Sequence, residues 1–162
     1  MIRMAIFLVF LNIVGAGAIF YKIGTVEHDP EVWHVDPLTE VQSLKPNSYR
    51  MAPPDLTPEF VDQPSPVYSA NPTLMAKAFD DFVLSQSKTE RIAGSPEEGW
   101  MTYVQRTPRL NFPDYISVKF IDLNGGKSTI AIYSRSRFGH SDQGVNAQRV
   151  RTWVATLSSF EE

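Results

Sequence analysis

The residues best equipped for chemistry lie in one stretch, Ser134-Arg135-Ser136-Arg137-Phe138-Gly139-His140-Ser141-Asp142-Gln143-Gly144-Val145-Asn146, followed by Arg149. Strand alternation sends Arg135 and Arg137 to one face and Ser134 and Ser136 to the other. Gly139 and Gly144 relax the backbone where a strand gives way to a helix. The start of that helix offers unpaired N–H groups and the positive end of its dipole. Arginines beside such an end suit phosphate, sulfate or carboxylate. Arg135, Arg137, Ser141, Asp142, Asn146 and Arg149 are therefore the candidate ligand-binding corner. The same residue types also serve structure. Asp114, Asp122 and Asp142 can pair the arginines, Ser141 or Asp142 can cap the helix, and Asn146 can satisfy loop backbone.

Catalysis has weaker grounds. Ser134, Ser136, Ser141, His140 and Asp142 supply the types of a nucleophile, a base and an orienting acid, but a triad converges from separate elements and these are near neighbours in sequence. No G-x-S-x-G, H-E-x-x-H or G-x-x-x-x-G-K pattern occurs. No catalytic residue, metal site or cofactor is assigned. His28, Asp29, Glu31, His34 and Asp36 form a second polar group, but Pro30 and Pro37 forbid a regular helix presenting them together. They read as a solvated acidic linker.

These residues need elements to position them. Asn71-Pro72-Thr73 reads as an N-cap with proline at the first helical position, opening a helix over about Thr73–Ser87 whose apolar stripe includes Leu74, Ala78 and Phe82. Period-two patterns follow at Thr89–Ala93, Trp100–Arg106, Asp114–Leu123 and Ser128–Arg137, with Asn124-Gly125-Gly126-Lys127 as a hairpin turn. A last helix starts near Ser141 or Asp142 and buries Val145, Val150, Trp153, Val154 and Leu157. The expected fold class is α+β: a two-layer sandwich of three or four antiparallel strands covered by two helices.

The 162 residues carry 43% hydrophobic side chains, 20% charged ones and a net charge of −3, which excludes a broadly basic nucleic-acid binder and a wholly disordered tail. Nucleic acid is not an expected partner. The absence of cysteine excludes disulfides, zinc–thiolate sites, iron–sulfur clusters and thiol nucleophiles.

Met4–Tyr21 carries no charge and is bracketed by Arg3 and Lys22. As a helix, eighteen residues span roughly 27 Å, close to the hydrocarbon thickness of a bilayer. Retention as a signal anchor competes with cleavage at Ala16-Gly17-Ala18. Ile19 and Phe20 extend the apolar run past that site and favour the anchor. Between Ile23 and Ser69 come Pro30, Pro37, Pro46, Pro53, Pro54, Pro58, Pro64 and Pro66. There Lys45 and Arg50 face Glu27, Asp29, Glu31, Asp36, Glu40, Asp55, Glu59 and Asp62. Such a stretch reads as an acidic, extended arm, with Trp33, Val35, Leu38 and Tyr49 able to strap parts of it onto a domain. The expected division is a transmembrane anchor at 1–22, a spacer at 23–69 and a folded domain at 70–162. The expected place is the inner (cytoplasmic) membrane, single-pass, with the C-terminal domain in the periplasm.

The run SRSRFGHSDQGVNAQRVRTW, with TERIAG, GWMTYVQRTPRLNFPDYISVKF and STIAIYSRSR upstream, closely resembles the DUF1499 family, found in many bacteria and some photosynthetic eukaryotes. The resemblance covers about Pro66–Leu157. Its motif falls on Arg91, Gly94, Arg106, Asp114, Tyr115, Ser134, Arg135, Ser136, Arg137, Gly139, Ser141, Asp142, Gly144, Asn146 and Arg149, with His140 at a variable place. The membrane segment and the WHVDPLT and KPNSY spacer look like a proteobacterial subset. The resemblance implies an extracytoplasmic or membrane-associated domain and supplies no catalytic assignment. The expected function is a non-enzymatic binding or accessory module for an envelope protein or an anionic small molecule. The alternatives are a structural subunit of a membrane complex and a Ser/His-dependent hydrolase.

Overall fold

A computed structural model describes residues 21–161. Its centre is a mixed sheet of β1 (Ser48–Ala52), β2 (Gln63–Pro64), β3 (Val67–Tyr68), β4 (Thr89–Ser95), β5 (Trp100–Arg106), β6 (Pro113–Asn124) and β7 (Lys127–Ser136). The order is β2-β1-β7-β6-β5-β4, and β3 pairs with the start of β7. Only β1 and β2 run parallel; the other pairings are antiparallel. After a helical turn at residues 21–24, the helices among the described residues are α1 (Pro30–Trp33), α2 (Pro72–Leu84) and α3 (Val145–Ala155).

Local chemistry sets the boundaries. The Asn71 side chain accepts from the Thr73 and Leu74 N–H groups and Pro72 fills the first helical position, so α2 begins there. The β6–β7 hairpin turns through Asn124, Gly125 and Gly126, all at positive φ. At the other end of β7, the Asp142 carboxylate accepts from the N–H groups of Gly144 and Asn146 and opens α3.

The sheet buries both faces. On one, Met101, Tyr103, Ile116, Val118, Ile130 and Ile132 meet Met75, Phe79, Val83, Val150 and Trp153 of the two long helices. Phe79 contacts Phe120 and Trp153 edge-on, at 5.6 and 6.1 Å between ring centroids. Asp80 of α2 receives Tyr103 Oη at 2.8 Å and Arg91 Nη1 at 2.7 Å, tying α2 to β4 and β5. Burial and that carboxylate push the Tyr103 hydroxyl far above its ordinary pKa.

Residues 26–46 cross the other face as a strap. Trp33 stacks on Tyr115 at 3.7 Å and 7°, and His34 stacks on Trp100 at 4.1 Å. His34 Nδ1 meets Thr102 Oγ1 at 2.8 Å, and Lys119 Nζ pairs with Asp36 at 2.5 Å. Thr102, Ser117 and Tyr133 are buried beneath this cover despite their polar atoms.

Two expectations are corrected. The sheet has seven strands, one pair parallel, where three or four antiparallel strands were expected, because residues 48–68 supply β1, β2 and β3. The prolines of that stretch fall beside the strands or on the edge strand β2, where a missing N–H breaks no inner ladder. The two-layer sandwich likewise becomes helices, sheet and strap. The membrane-spanning helix expected at 1–22 lies almost wholly outside the described residues, and among those described no helix is long and apolar enough to cross a membrane.

Candidate functional site

The candidate corner divides between the two faces of the sheet. Alternation along β7 points Ser134 toward the helices and Arg135 toward the strap, in register with Ile116 and Tyr115 of β6.

On the helix side, Arg149 reaches back from the first turns of α3 to three strands. Its Nη2 donates to Asp114 Oδ2 at 2.6 Å, Nη1 to Ser134 Oγ at 3.0 Å and to Asn146 Oδ1 at 2.5 Å, and Nε to Gln105 Oε1 at 2.7 Å. Asn146 Nδ2 donates to the Asn47 carbonyl at 2.9 Å and to Ser136 Oγ at 3.0 Å, while its Oδ1 also accepts from Ser134 at 2.6 Å. The Asp114 and Arg149 side chains are 3% and 5% exposed, so the pair is sealed from water. Asp142, Asn146 and Arg149 thus share one closed network, and its donors point inward.

On the strap side, Arg135 Nη2 donates to the Trp33 carbonyl at 2.9 Å, with its guanidinium 5.3 Å from the rings of Trp33 and Tyr133. Arg137 Nη1 donates to the Glu27 carbonyl at 3.0 Å and to Tyr115 Oη at 3.1 Å. His28 joins them: Nδ1 lies 2.7 Å from Tyr115 Oη, and Nε2 lies 2.7 Å from Arg106 Nη2. A guanidinium only donates, so Nε2 is the acceptor and Nδ1 carries the proton. Burial and Arg106 hold the His28 pKa below 6.5, against the pull of Glu90 at 3.7 Å. Arg50, fully buried on the same face, donates to the carbonyls of Phe60 and Glu40 and lies 4.5 Å from the Tyr133 ring. Burial lowers the pKa of both Arg50 and Arg135.

Ser141 is exposed and accepts from the Gln143 N–H at 3.3 Å. The exposed His140 makes no hydrogen bond among the described residues. The anion pocket expected from arginines gathered at a helix start does not assemble, since Arg135 and Arg137 lie across the sheet from α3. Sequence reasoning overlooked His28, Arg50 and Trp33 as partners of that arginine row. Their signal was the apolar and aromatic content of a stretch dominated by proline and acid.

The family described as "Protein of unknown function (DUF1499)" matches residues 38–157. The chain belongs to this family. The DUF1499 match begins well before Pro66 and takes in β1, β2 and β3, so these strands are part of the family's domain. No curated protein matches the chain.

Proposed function

We propose that this DUF1499 chain is a binding module for an anionic ligand, held at a membrane by the apolar run in its first twenty residues, with the folded part outside the cytoplasm. The observation that carries the binding reading is an imbalance between the two faces. On the helix side Arg91 and Arg149 each have an aspartate, Asp80 and Asp114. On the strap side Arg50, Arg106, Arg135 and Arg137 have carbonyls, rings and a neutral imidazole, and no carboxylate of the described residues lies within ion-pair distance of them. Glu59, Asp62 and Glu40 act on Arg50, and Glu40 on Arg135, from beyond ion-pair distance, so the pull on an anion comes chiefly from Arg106 and Arg137. Arg106 and Arg137 are only half-buried and are the two that a ligand reaches first. Against the hydrolase alternative stand the exposed His140, which bonds to none of the described residues, and the engagement of Asp142 at the start of α3.

Titration of the full chain in detergent with inorganic phosphate and with a dicarboxylate, followed by tryptophan fluorescence, tests the reading, because Trp33 lies 5.4 Å from the Arg137 guanidinium. A charge-assisted hydrogen bond contributes about 1.5–3 kcal/mol, so Arg137→Ala is expected to weaken binding about tenfold or more. No saturable response to either anion, or equal affinity in Arg137→Ala, refutes it.

A further inference from the structure

The point at which the chain enters its folded part fixes which end of the domain faces the tether. Gly24 lies against the Asn111 amide, Arg106 Nη2 donates to the Val26 carbonyl at 3.5 Å, and Arg137 Nη1 donates to the Glu27 carbonyl at 3.0 Å. All three contacts are at the end of the sheet where β5 finishes and β6 begins. Tyr21 closes the charge-free run only three residues before Gly24, a reach of at most about 11 Å even when fully extended. The headgroup layer on one side of a bilayer is itself roughly 5–8 Å thick.

That same end carries an exposed apolar loop. Residues 107–112 are closed by Thr107 N–H to the Phe112 carbonyl at 2.9 Å and Asn111 N–H to the Thr107 carbonyl at 3.1 Å, and are buttressed by Lys88 Nζ on the Pro108 carbonyl at 3.0 Å. The loop therefore holds its tip, Pro108-Arg109-Leu110, as a stiff projection. Leu110 is 50% exposed and Val145 beside it 43%. Together with Phe112 they line a recess of about 500 Å³. The exposed cations at this end are Lys22, Lys88 and Arg109, none with a carboxylate in ion-pair distance among the described residues; with half-buried Arg106 and Arg137 they outnumber the exposed acids there, Glu27 and Glu90. The opposite end, beyond the β4–β5 turn and the β6–β7 hairpin, carries Glu97, Glu98, Asp122 and Glu161 against Lys127 and Lys77, the latter paired with Glu97 at 3.7 Å.

We infer that the 107–112 end is a membrane-contact surface: Leu110 enters the interface of the bilayer, and Lys22, Lys88 and Arg109 meet the phosphates of anionic phospholipid. This inference rests on the tether proposed above. The short reach, the apolar tip and the basic end all select a lipid surface as the occupant. The acidic end is thereby turned away from the negative headgroups, which favours one orientation of the domain.

The chain contains no cysteine, so Leu110→Cys and Glu97→Cys each accept a single environment-sensitive fluorophore. The full-length variants are reconstituted in vesicles of phosphatidylcholine with and without phosphatidylglycerol, and quenching by lipids spin-labelled near the headgroup is compared. The expected result is several-fold stronger quenching at position 110 than at 97. Adding Arg109→Glu is expected to reduce that excess with phosphatidylglycerol and to leave it unchanged in phosphatidylcholine alone. Equal quenching at 110 and 97 in vesicles that carry the chain through flotation overturns the contact surface and leaves the tether standing. Failure of the chain to float with vesicles overturns both. A label at 110 that becomes shielded with rising protein concentration in detergent, before lipid is added, shows a second copy on this surface and also overturns the inference. Insensitivity to Arg109→Glu overturns the electrostatic part.

Discussion

Replacing Arg149 by methionine tests whether the helix-side corner is a structural knot. The substitution keeps the length and most of the volume of the side chain while removing every donor. Asp114, 3% exposed and 2.6 Å from Nη2, is left as a buried carboxylate without its cation. Breaking a buried pair from one side costs about 3–5 kcal/mol. Gln105 Oε1 loses its donor at the same time, while Asn146 Oδ1 keeps the Ser134 hydroxyl. Against a total stability of about 5–15 kcal/mol, a loss near 4 kcal/mol removes a large fraction and lowers Tm by roughly 10 °C or more. Urea unfolding of the full chain in detergent, read by the fluorescence of Trp153 in the core, gives the value. Pairing Arg149→Met with Asp114→Leu removes the stranded charge, and the double variant is expected to be more stable than Arg149→Met alone. A loss below about 1 kcal/mol for Arg149→Met refutes the reasoning, because a guanidinium that dispensable is not holding three strands to a helix.

Gly94 sits at φ +75°, and a Cβ there would stand 1.9 Å from the Trp100 carbonyl oxygen, whereas Gly125 at φ +63° faces open space. Gly94→Ala is therefore expected to cost at least about 3 kcal/mol and Gly125→Ala about 1–2 kcal/mol, compared by thermal melts. Lowering the pH is expected to loosen the strap. Burial lowers the pKa values of His28 and His34 in the folded chain, with Arg106 and Arg137 adding to the effect at His28, Glu90 opposing it there, and Glu98 opposing it at His34. Both imidazoles are neutral in either state well above pH 6.5, and the stability of the neutral-imidazole contacts is whole there. Below pH 6.5 the unfolded or released strap binds protons first, so that stability is lost as the pH falls toward the folded values. Hydrogen exchange of residues 26–36 between pH 7.5 and pH 5 measures it, and unchanged protection contradicts the reasoning.

Much of the frame was legible because it rests on short-range chemistry. The Asn71 cap, the Asn124–Lys127 turn and the alternation of β5 to β7 require no distant partner to be recognised, and they lie within a few residues of their expected bounds. β1, β2 and β3 were hidden because strands of five and two residues carry too little periodicity to outweigh the prolines around them. The second buried face was hidden for a different reason. Tyr115, Ser117, Lys119 and Tyr133 have the alternating polarity of a solvated sheet face, and only contact with Trp33, His34 and Asp36 reveals that this face is covered. The corner residues were recognisable as a group. Their division was not, because adjacent residues on a strand point to opposite layers and the sequence alone does not say what each layer contains.

The division gives the arginine row its meaning. Arg91 and Arg149 are matched to aspartates that fold into the same layer, so their charges are neutralised once the domain forms. Arg135 and Arg137 follow the same strand but face a layer made from a segment that is acidic in composition, and its carboxylates do not meet them. Asp36 goes to Lys119, Asp29 caps α1, and Glu27 and Glu40 offer only backbone carbonyls to the guanidiniums. Carbonyl contacts hold a guanidinium in position without cancelling its charge. A strap fastened in this way leaves Arg106 and Arg137 without an ion-paired carboxylate among the described residues, and an incoming anion would gain Coulomb energy without first displacing one. If anion binding does follow, it should strengthen as the strap loosens. Phosphate affinity should then rise as the pH falls below 6.5 even though phosphate itself loses negative charge there, and the rise should shrink in His28→Asn and vanish when His34→Asn is added.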